Sequence, residues 1–396
     1  MSLCSICLPD ENRDVTALHL QFCLFTYLSF AHLPFAHLTE NPTFAAIMVS
    51  DPNNISIPDT DPTAQSRKQD HIELAFQSQV TANGLDGRFY YEPLLSAHPV
   101  SPSWAPVSFL GKTLRAPLWV SSMTGGTELA KTINANLARA CAEFGLGMGL
   151  GSCRQLLYSD ERLADFDVRD QLGPDLPLFV NLGIAQIEQL IEQNETDRIP
   201  ALLTKLRADG LIIHVNPLQE AMQPEGDIFR VPPIETIEWI MQLADYKVIV
   251  KEVGQGFGPE SLRALLQLPL AAIEFAAAGG TNFAKLELLR SDLSRQLTFE
   301  KITTIGHSAE EMLGFINALT VELGDRCQVQ HLIISGGIRD LLDGYYLLKK
   351  SPLPAVYGQA SGFLKYARED YAALQEFVKS QIRGLELAQA FLRIKS

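Results

Sequence analysis

The densest chemistry in this chain lies in His214-Val215-Asn216-Pro217-Leu218-Gln219-Glu220, which continues to Gln223-Pro224-Glu225-Gly226-Asp227. It follows Gly210-Leu211-Ile212-Ile213, an apolar run that reads as a buried strand. A strand that ends by releasing His, Asn, Gln and Glu delivers polar groups to one place, and such groups cost free energy unless they are paired. His214 and Gln219 suit an anion or polar substrate, and Glu220 suits a hard cation such as magnesium. The plain alternative is a polar loop in which Asn216 caps a helix.

Residues placed so closely need a scaffold. From Pro117 onward, short apolar runs alternate with helical patterns. The expected strands are Leu118–Ser121, Gly145–Gly149, Leu178–Asn181, Leu211–His214, Val248–Lys251, Ala272–Phe275, Leu332–Ser335 and Ala355–Gly358. The expected helices include Thr127–Phe144, Ala185–Ala208, Ser308–Leu323 with Ser308 as cap, and a long one over Ala367–Ile394. Eight strands alternating with helices over roughly 280 residues is the arithmetic of an α/β (β/α)8 TIM barrel. A doubly wound open sheet is the main alternative. Gly145, Gly147, Gly149 and Gly151 do not match its dinucleotide fingerprint and suggest a strand with close backbone approach.

In such a barrel the chemistry sits at the carboxyl ends of the strands. Those ends are Ser122-Met123-Thr124-Gly125-Gly126, Gly151-Ser152-Cys153-Arg154, Asn181-Leu182-Gly183, the His214 cluster, Lys251-Glu252-Val253-Gly254, Gly279-Gly280-Thr281-Asn282, Ser335-Gly336-Gly337-Ile338-Arg339 and Gly358-Gln359-Ala360-Ser361. All are small or polar, as a large ligand across the mouth requires. Gly336-Gly337 ahead of a helix reads as a phosphate cradle at a positive helix terminus. Lys251, closing an apolar strand, needs an anionic or electron-rich partner, or acts as a Schiff-base lysine. Cys153 reads as a small buried residue, and Trp104, Trp119 and Trp239 as packing residues.

The net charge of −14 argues against nucleic acid and anionic membrane surfaces as partners. The cysteines, Cys4, Cys7, Cys23, Cys141, Cys153 and Cys327, show no zinc spacing and read as free thiols of a reducing, cytoplasmic protein. Residues 1–65 differ from the rest. The apolar stretch Leu18–Leu38 is interrupted by histidines and Pro34, and Asp51–Asp61 reads as a linker. We expect a poorly structured extension there, with Met48 as a candidate start, and a barrel over residues 66–396. Ser66-Arg67-Lys68-Gln69-Asp70-His71 is either a solvated start or an arm over a phosphate-bearing ligand.

Taken in order, Arg67-Lys68 with His71, Met123-Thr124-Gly125-Gly126, Gly151-Ser152-x-Arg154, His214-x-Asn216-x-x-Gln219-Glu220 with Pro224-Glu225-Gly226-Asp227, Val250-Lys251-Glu252-Val253-Gly254, Gly279-Gly280-Thr281-Asn282 and Ser335-Gly336-Gly337-Ile338-Arg339 resemble the type 2 isopentenyl-diphosphate delta-isomerases. The resemblance runs from Ser66 to the C-terminus. It implies an FMN-binding (β/α)8 barrel that interconverts isopentenyl and dimethylallyl diphosphates with reduced FMN, NAD(P)H (NADPH as the reductant) and Mg2+. It implies that Ser122, Met123, Thr124, Ser152, Asn181, Lys251 and Thr281 contact the flavin ring or ribityl chain. Gly336, Gly337, Arg339, Ala360 and Ser361 would hold its phosphate end. Arg67, Lys68, Arg154, His214 and Asn216 would bind the substrate diphosphate, Gln219 would lie at the reacting alkene, and Glu220 would bind magnesium. It also implies a homo-oligomer, tetramer or octamer. Cys153, Phe283 and the Phe275-Ala276-Ala277-Ala278 strand end depart from the family pattern.

Moving a double bond needs a proton added at one carbon and removed at another, by a close and oriented group. The strand ends offer no carboxylate or cysteine pair for this, and reduced flavin supplies that chemistry. The nearest rival is an FMN-dependent oxidoreductase on the same barrel, such as a 2-hydroxy-acid oxidase. It would want a His-Gly-x-Arg sequence where this chain has Ala278-Gly279-Gly280-Thr281. An aldolase-type barrel leaves Gln219-Glu220 unexplained, and a non-catalytic flavin binder leaves the polar ring of strand ends without purpose.

Overall fold

Runs such as Leu211-Ile212-Ile213 and Val248-Ile249-Val250 are buried on both faces, as parallel strands under helices must be. The computed structural model describes residues 63–395. The chain divides into two units, Met1–Leu85 and Asp86–Ser396. In the first, the described part is the helix Ala64–Leu74 and a short 3-10 turn, Ala82–Gly84. Cys4, Cys7, Cys23, Leu18–Leu38, Met48 and Asp51–Asp61 lie outside the described residues.

The second unit opens with strands β1 (Phe89–Tyr91), β2 (Val107–Phe109) and β3 (Lys112–Leu114). Eight parallel strands follow: β4 (Leu118–Val120), β5 (Gly147–Ser152), β6 (Leu178–Gly183), β7 (Gly210–His214), β8 (Lys247–Lys251), β9 (Ala272–Glu274), β10 (Leu332–Ser335) and β11 (Ala355–Gln359). They close in sequence order, with β11 paired to β4, so the expected TIM barrel is the observed fold. β12 (Leu392–Ile394) pairs antiparallel with β1. The latch continues through Lys395 N–H to Arg88 O at 2.8 Å and Glu92 N–H to Phe391 O at 2.8 Å.

Alternate glycines in β5 serve the close approach expected of them. A Cβ on Gly147 would overlap the Trp119 ring, and one on Gly151 would overlap the Thr124 carbonyl. Two helical expectations need correction. The helix expected over Ala185–Ala208 is two, Ile184–Glu192 and Arg198–Leu206. Asn194 between them takes φ 55°, a left-handed conformation that asparagine tolerates because its side chain bonds locally. The long C-terminal helix expected over Ala367–Ile394 runs over Tyr371–Phe391 only, after a separate helix Ser361–Ala367 and before β12. Asp370 restarts it by accepting the N–H groups of Ala372 and Ala373. Trp119 is fully buried, whereas Trp239 is 38% exposed and packs less than expected. No helix among the described residues is long and apolar enough to cross a membrane.

Candidate active site

A cavity of about 430 Å³ opens at the carboxyl ends of β4 and β8 through β11. Ser122, Met123, Lys251, Thr281, Gly336, Gly337, Arg339, Ala360 and Ser361 line it, together with Ser121, Glu274, Ser335 and Gln359. Four buried polar atoms of that lining have no partner: Ser121 Oγ, Ser122 Oγ, Glu274 Oε2 and Gln359 Oε1. Orphaned polar groups in the wall of a roomy cavity mark a place where a ligand can supply the missing hydrogen bonds. Lys251 is 6% exposed, and its Nζ donates to the Glu252 carbonyl at 2.7 Å.

Gly336 and Gly337 take φ 87° and 70°, and a Cβ on Gly336 would overlap the Ala277 backbone. Only glycine lets the two late strand ends approach this closely. The helix that follows, Leu341–Lys350, is not an open positive terminus, contrary to the expected cradle. Asp340 caps it by accepting from Leu342 N–H and Asp343 N–H. The helix Ser361–Ala367, by contrast, begins without a side-chain cap, and its first residues line the cavity with the glycine turn. Arg339 is exposed and paired with Asp343 at 3.2 Å. Asp343 also takes Arg88 Nη1 at 2.8 Å.

A second chamber of about 120 Å³ adjoins the first and shares Ser122, Met123, Lys251, Val253 and Phe283 with it. Its other walls are Gly151, Ser152, Asn181, His214 and Gln219. His214 Nδ1 lies 2.7 Å from Asn181 Oδ1. The oxygen must accept, so Nδ1 carries the proton and Nε2 is bare. Burial, and then the Lys251 charge, pull His214 down to about 3, so the ring is neutral at physiological pH. Cys153 is buried beside this wall, and burial pushes its thiol up to about 12, which rules it out as a ready nucleophile.

Behind the chamber, the loop after β7 is held by carboxylates. Asn216 begins the helix Pro217–Met222 but does not cap it with its side chain. Its amide donates to Glu220 Oε1 at 2.8 Å and Gln219 Oε1 at 3.2 Å. Asp227 N–H donates to Glu220 Oε2 at 2.8 Å. Gly226 makes this return possible, since a Cβ there would overlap the Glu220 carbonyl. The Asp227 carboxylate accepts from Gln186 at 3.1 Å, Gln189 at 3.1 Å and Arg154 at 3.2 Å.

The structure thus brings most of the sequence-predicted residues to two adjoining chambers. Thr124 lies outside both linings, and its carbonyl packs on Gly151. Arg154, Asn216 and Glu220 stand behind the smaller chamber. Arg67 and Lys68 are exposed on the helix Ala64–Leu74 of the other unit. Sequence reasoning missed Glu274, although a lone acid inside the apolar run Leu270-Ala271-Ala272-Ile273-Glu274-Phe275 was a visible signal. It also missed the work of Glu252, whose Oε2 accepts the N–H groups of Gly254, Gln255 and Gly256 at 2.7, 2.6 and 2.8 Å. Burial raises the pKa of Glu252 against those bonds. It fixes the turn that follows Lys251.

No family model matches the chain. A Nostoc sp. protein named isopentenyl-diphosphate delta-isomerase is 36% identical over 324 residues, covering 80% of this chain and 88% of the relative. The Rickettsia felis protein of the same name is 32% identical over 328 residues, covering 81% and 90%. Among solved structures, the flavin-binding domain of baker's yeast flavocytochrome b2 superimposes with a TM-score of 0.51 at 14% identity, covering 76% of this chain and 72% of that one. That likeness is one of fold.

Proposed function

The chain belongs to the isopentenyl-diphosphate delta-isomerases, and on that premise we propose that it interconverts isopentenyl and dimethylallyl diphosphates as a type 2, flavin-dependent enzyme. The observation that carries the flavin reading is the larger cavity, with its four orphaned buried polar atoms and its glycine turn. These residues fit FMN. Gly336, Gly337, Ala360 and Ser361, with Arg339 at the rim, would hold the phosphate. Ser122, Met123, Thr124, Ser152, Asn181, Lys251 and Thr281 would hold the ring and its chain, with Thr124 acting through its position behind Gly151.

Held by these residues and reduced, FMN would supply the proton-donating and proton-accepting chemistry that an alkene shift needs. The chain's own residues do the rest. Lys251 places a buried cation at the shared wall of the two chambers, where it would stabilise negative charge. Gln219 projects into the smaller chamber and would orient the alkene, its amide steadied by Asn216. His214, neutral and bonded to Asn181, would present its ring edge to the substrate. Glu220 is the magnesium ligand in this reading. One carboxylate with substrate phosphate oxygens and waters is enough, because magnesium keeps much of its hydration. Arg154, Asn216, Arg67 and Lys68 would hold the diphosphate. NADPH serves only to reduce the flavin.

The 2-hydroxy-acid oxidase reading finds no histidine where it needs one, since Ala276, Ala277, Gly279 and Gly280 line that end of the cavity. The test is a flavin titration followed by an anaerobic assay on isopentenyl diphosphate with FMN, NADPH and Mg2+. Saturable FMN binding and formation of dimethylallyl diphosphate are expected. A protein that binds no FMN, or one that isomerises equally well without it, overturns the proposal.

A further inference from the structure

Glu274 is the single polar side chain of β9, is 0% exposed and lines the larger cavity. Its Oε1 accepts from Ser335 Oγ at 3.4 Å, the Ser121 hydroxyl stands near the same carboxyl, and its Oε2 has no partner within hydrogen-bond distance. A fully buried carboxyl with a bare oxygen facing a cavity is a group placed for something else to bind. The Lys251 charge acts on it, the two residues being register partners across β8 and β9, but the lysine ammonium makes its hydrogen bond to the Glu252 carbonyl and leaves Oε2 bare.

Its place along the cavity says what that partner is. β9 lies between β8, which carries Lys251, and β10, which leads to Gly336 and Gly337. Ser335, 3% exposed, stands beside it on β10 and is likewise in the lining. Gln359, with an orphaned oxygen, completes this middle stretch from β11. A ligand with an electron-poor ring at the lysine and a phosphate at the glycines has its connecting chain here. In FMN that chain is a polyol, whose hydroxyls both donate and accept.

We propose that Glu274, with Ser335, is the subsite that anchors the hydroxylated chain of the flavin, a role distinct from ring binding at Lys251 and phosphate binding at the glycine turn. The inference rests on the flavin reading of the cavity. It assigns to a buried acid the hydrogen bonds that neither end of the cavity supplies. Loss of a hydrogen bond to a buried carboxyl lowers affinity by about ten- to a hundredfold.

The experiment compares three probes on the full chain stripped of flavin: FMN, riboflavin, which lacks the phosphate, and lumiflavin, which lacks the polyol as well. Affinities come from quenching of flavin fluorescence, and the thermal midpoint of each variant is recorded alongside. Glu274→Ala should weaken FMN and riboflavin by that factor and leave lumiflavin within twofold of the parent. Glu274→Gln, which keeps one acceptor, should fall between. Lys251→Ala should weaken all three. Should Glu274→Ala fail to fold, Ser335→Ala takes its place, with the same selective pattern at several-fold size. Equal losses for lumiflavin and riboflavin, or no loss for riboflavin, overturn the polyol assignment while the flavin site stands. A parent protein that binds none of the three overturns the flavin reading itself.

Discussion

Replace Asp227 with alanine and the loop after β7 loses three hydrogen bonds at once, from Gln186, Gln189 and Arg154. The two glutamine bonds end on a charged acceptor that is only 20% exposed, so each is put at the lower end of its class, about 1.5 kcal/mol. The Arg154 pair is discounted to near zero because that guanidinium is 54% exposed. The sum, about 3 kcal/mol, corresponds to roughly a hundredfold shift in the loop's closed-to-open equilibrium. Glu220 feels this directly, since Asp227 N–H holds its Oε2. The expected outcome is an apparent KM for isopentenyl diphosphate raised ten- to a hundredfold, with a smaller fall in kcat, at fixed Mg2+. Saturating Mg2+ should recover part of the loss. The thermal midpoint should move little, because the loop opens locally while the barrel stays closed. Asp227→Asn should be intermediate, since one amide oxygen still accepts. A KM within twofold of the parent, or a fall in midpoint with KM unchanged, would refute the clamp.

Three further outcomes are expected. His214 is held well below its ordinary pKa of 6.5, so the unfolded chain binds the extra proton. Its contribution to stability is therefore complete above pH 6.5 and is lost as pH falls toward about 3. Denaturant midpoints of His214→Gln should accordingly fall less steeply than the parent's over that window, by up to about 1 kcal/mol per pH unit, and parallel curves would count against a buried neutral ring. Gly151→Ala should lower stability by about 1–3 kcal/mol, because a Cβ there overlaps the Thr124 carbonyl, and an unchanged thermal midpoint would mean the loop after β4 moves freely. Glu220→Gln should raise the Mg2+ requirement and weaken substrate binding, whereas Gln219→Ala should lower turnover more than binding; identical kinetic signatures, or activity surviving EDTA, would dissolve that division of roles.

The barrel was legible because each strand is an apolar run closed by small or polar residues, and those runs alternate with helical periodicity. The ends of β7 and β10, and the glycines of β5, announced close approach or chemistry by residue type alone. What was hidden is three-dimensional. Nothing in the order of residues says that Asp340 spends its carboxylate on the helix after Gly337, or that Asn194 turns left-handed and splits a helix. Glu252 carried no role in the sequence and proves to be the tie of its own turn, which only hydrogen bonds to three successive N–H groups reveal. Glu274 was passed over because Ile273 and Phe275 flank it, within the apolar run expected as the strand Ala272–Phe275.

The pairing of β1 with β12 makes the barrel unit begin and end at one spot. Arg88, at the edge of that pair, reaches Asp343, and Asp343 in turn receives both the backbone and the side chain of Arg339 next to the glycine turn. During synthesis β1 emerges early and waits, unpaired, for nearly the whole chain. The latch closes only when Ile394 has left the ribosome, so the staple on the glycine turn is among the last contacts to be completed. A nascent chain with all eight barrel strands already made would still lack the β1–β12 pair that seats Arg88 beside Asp343.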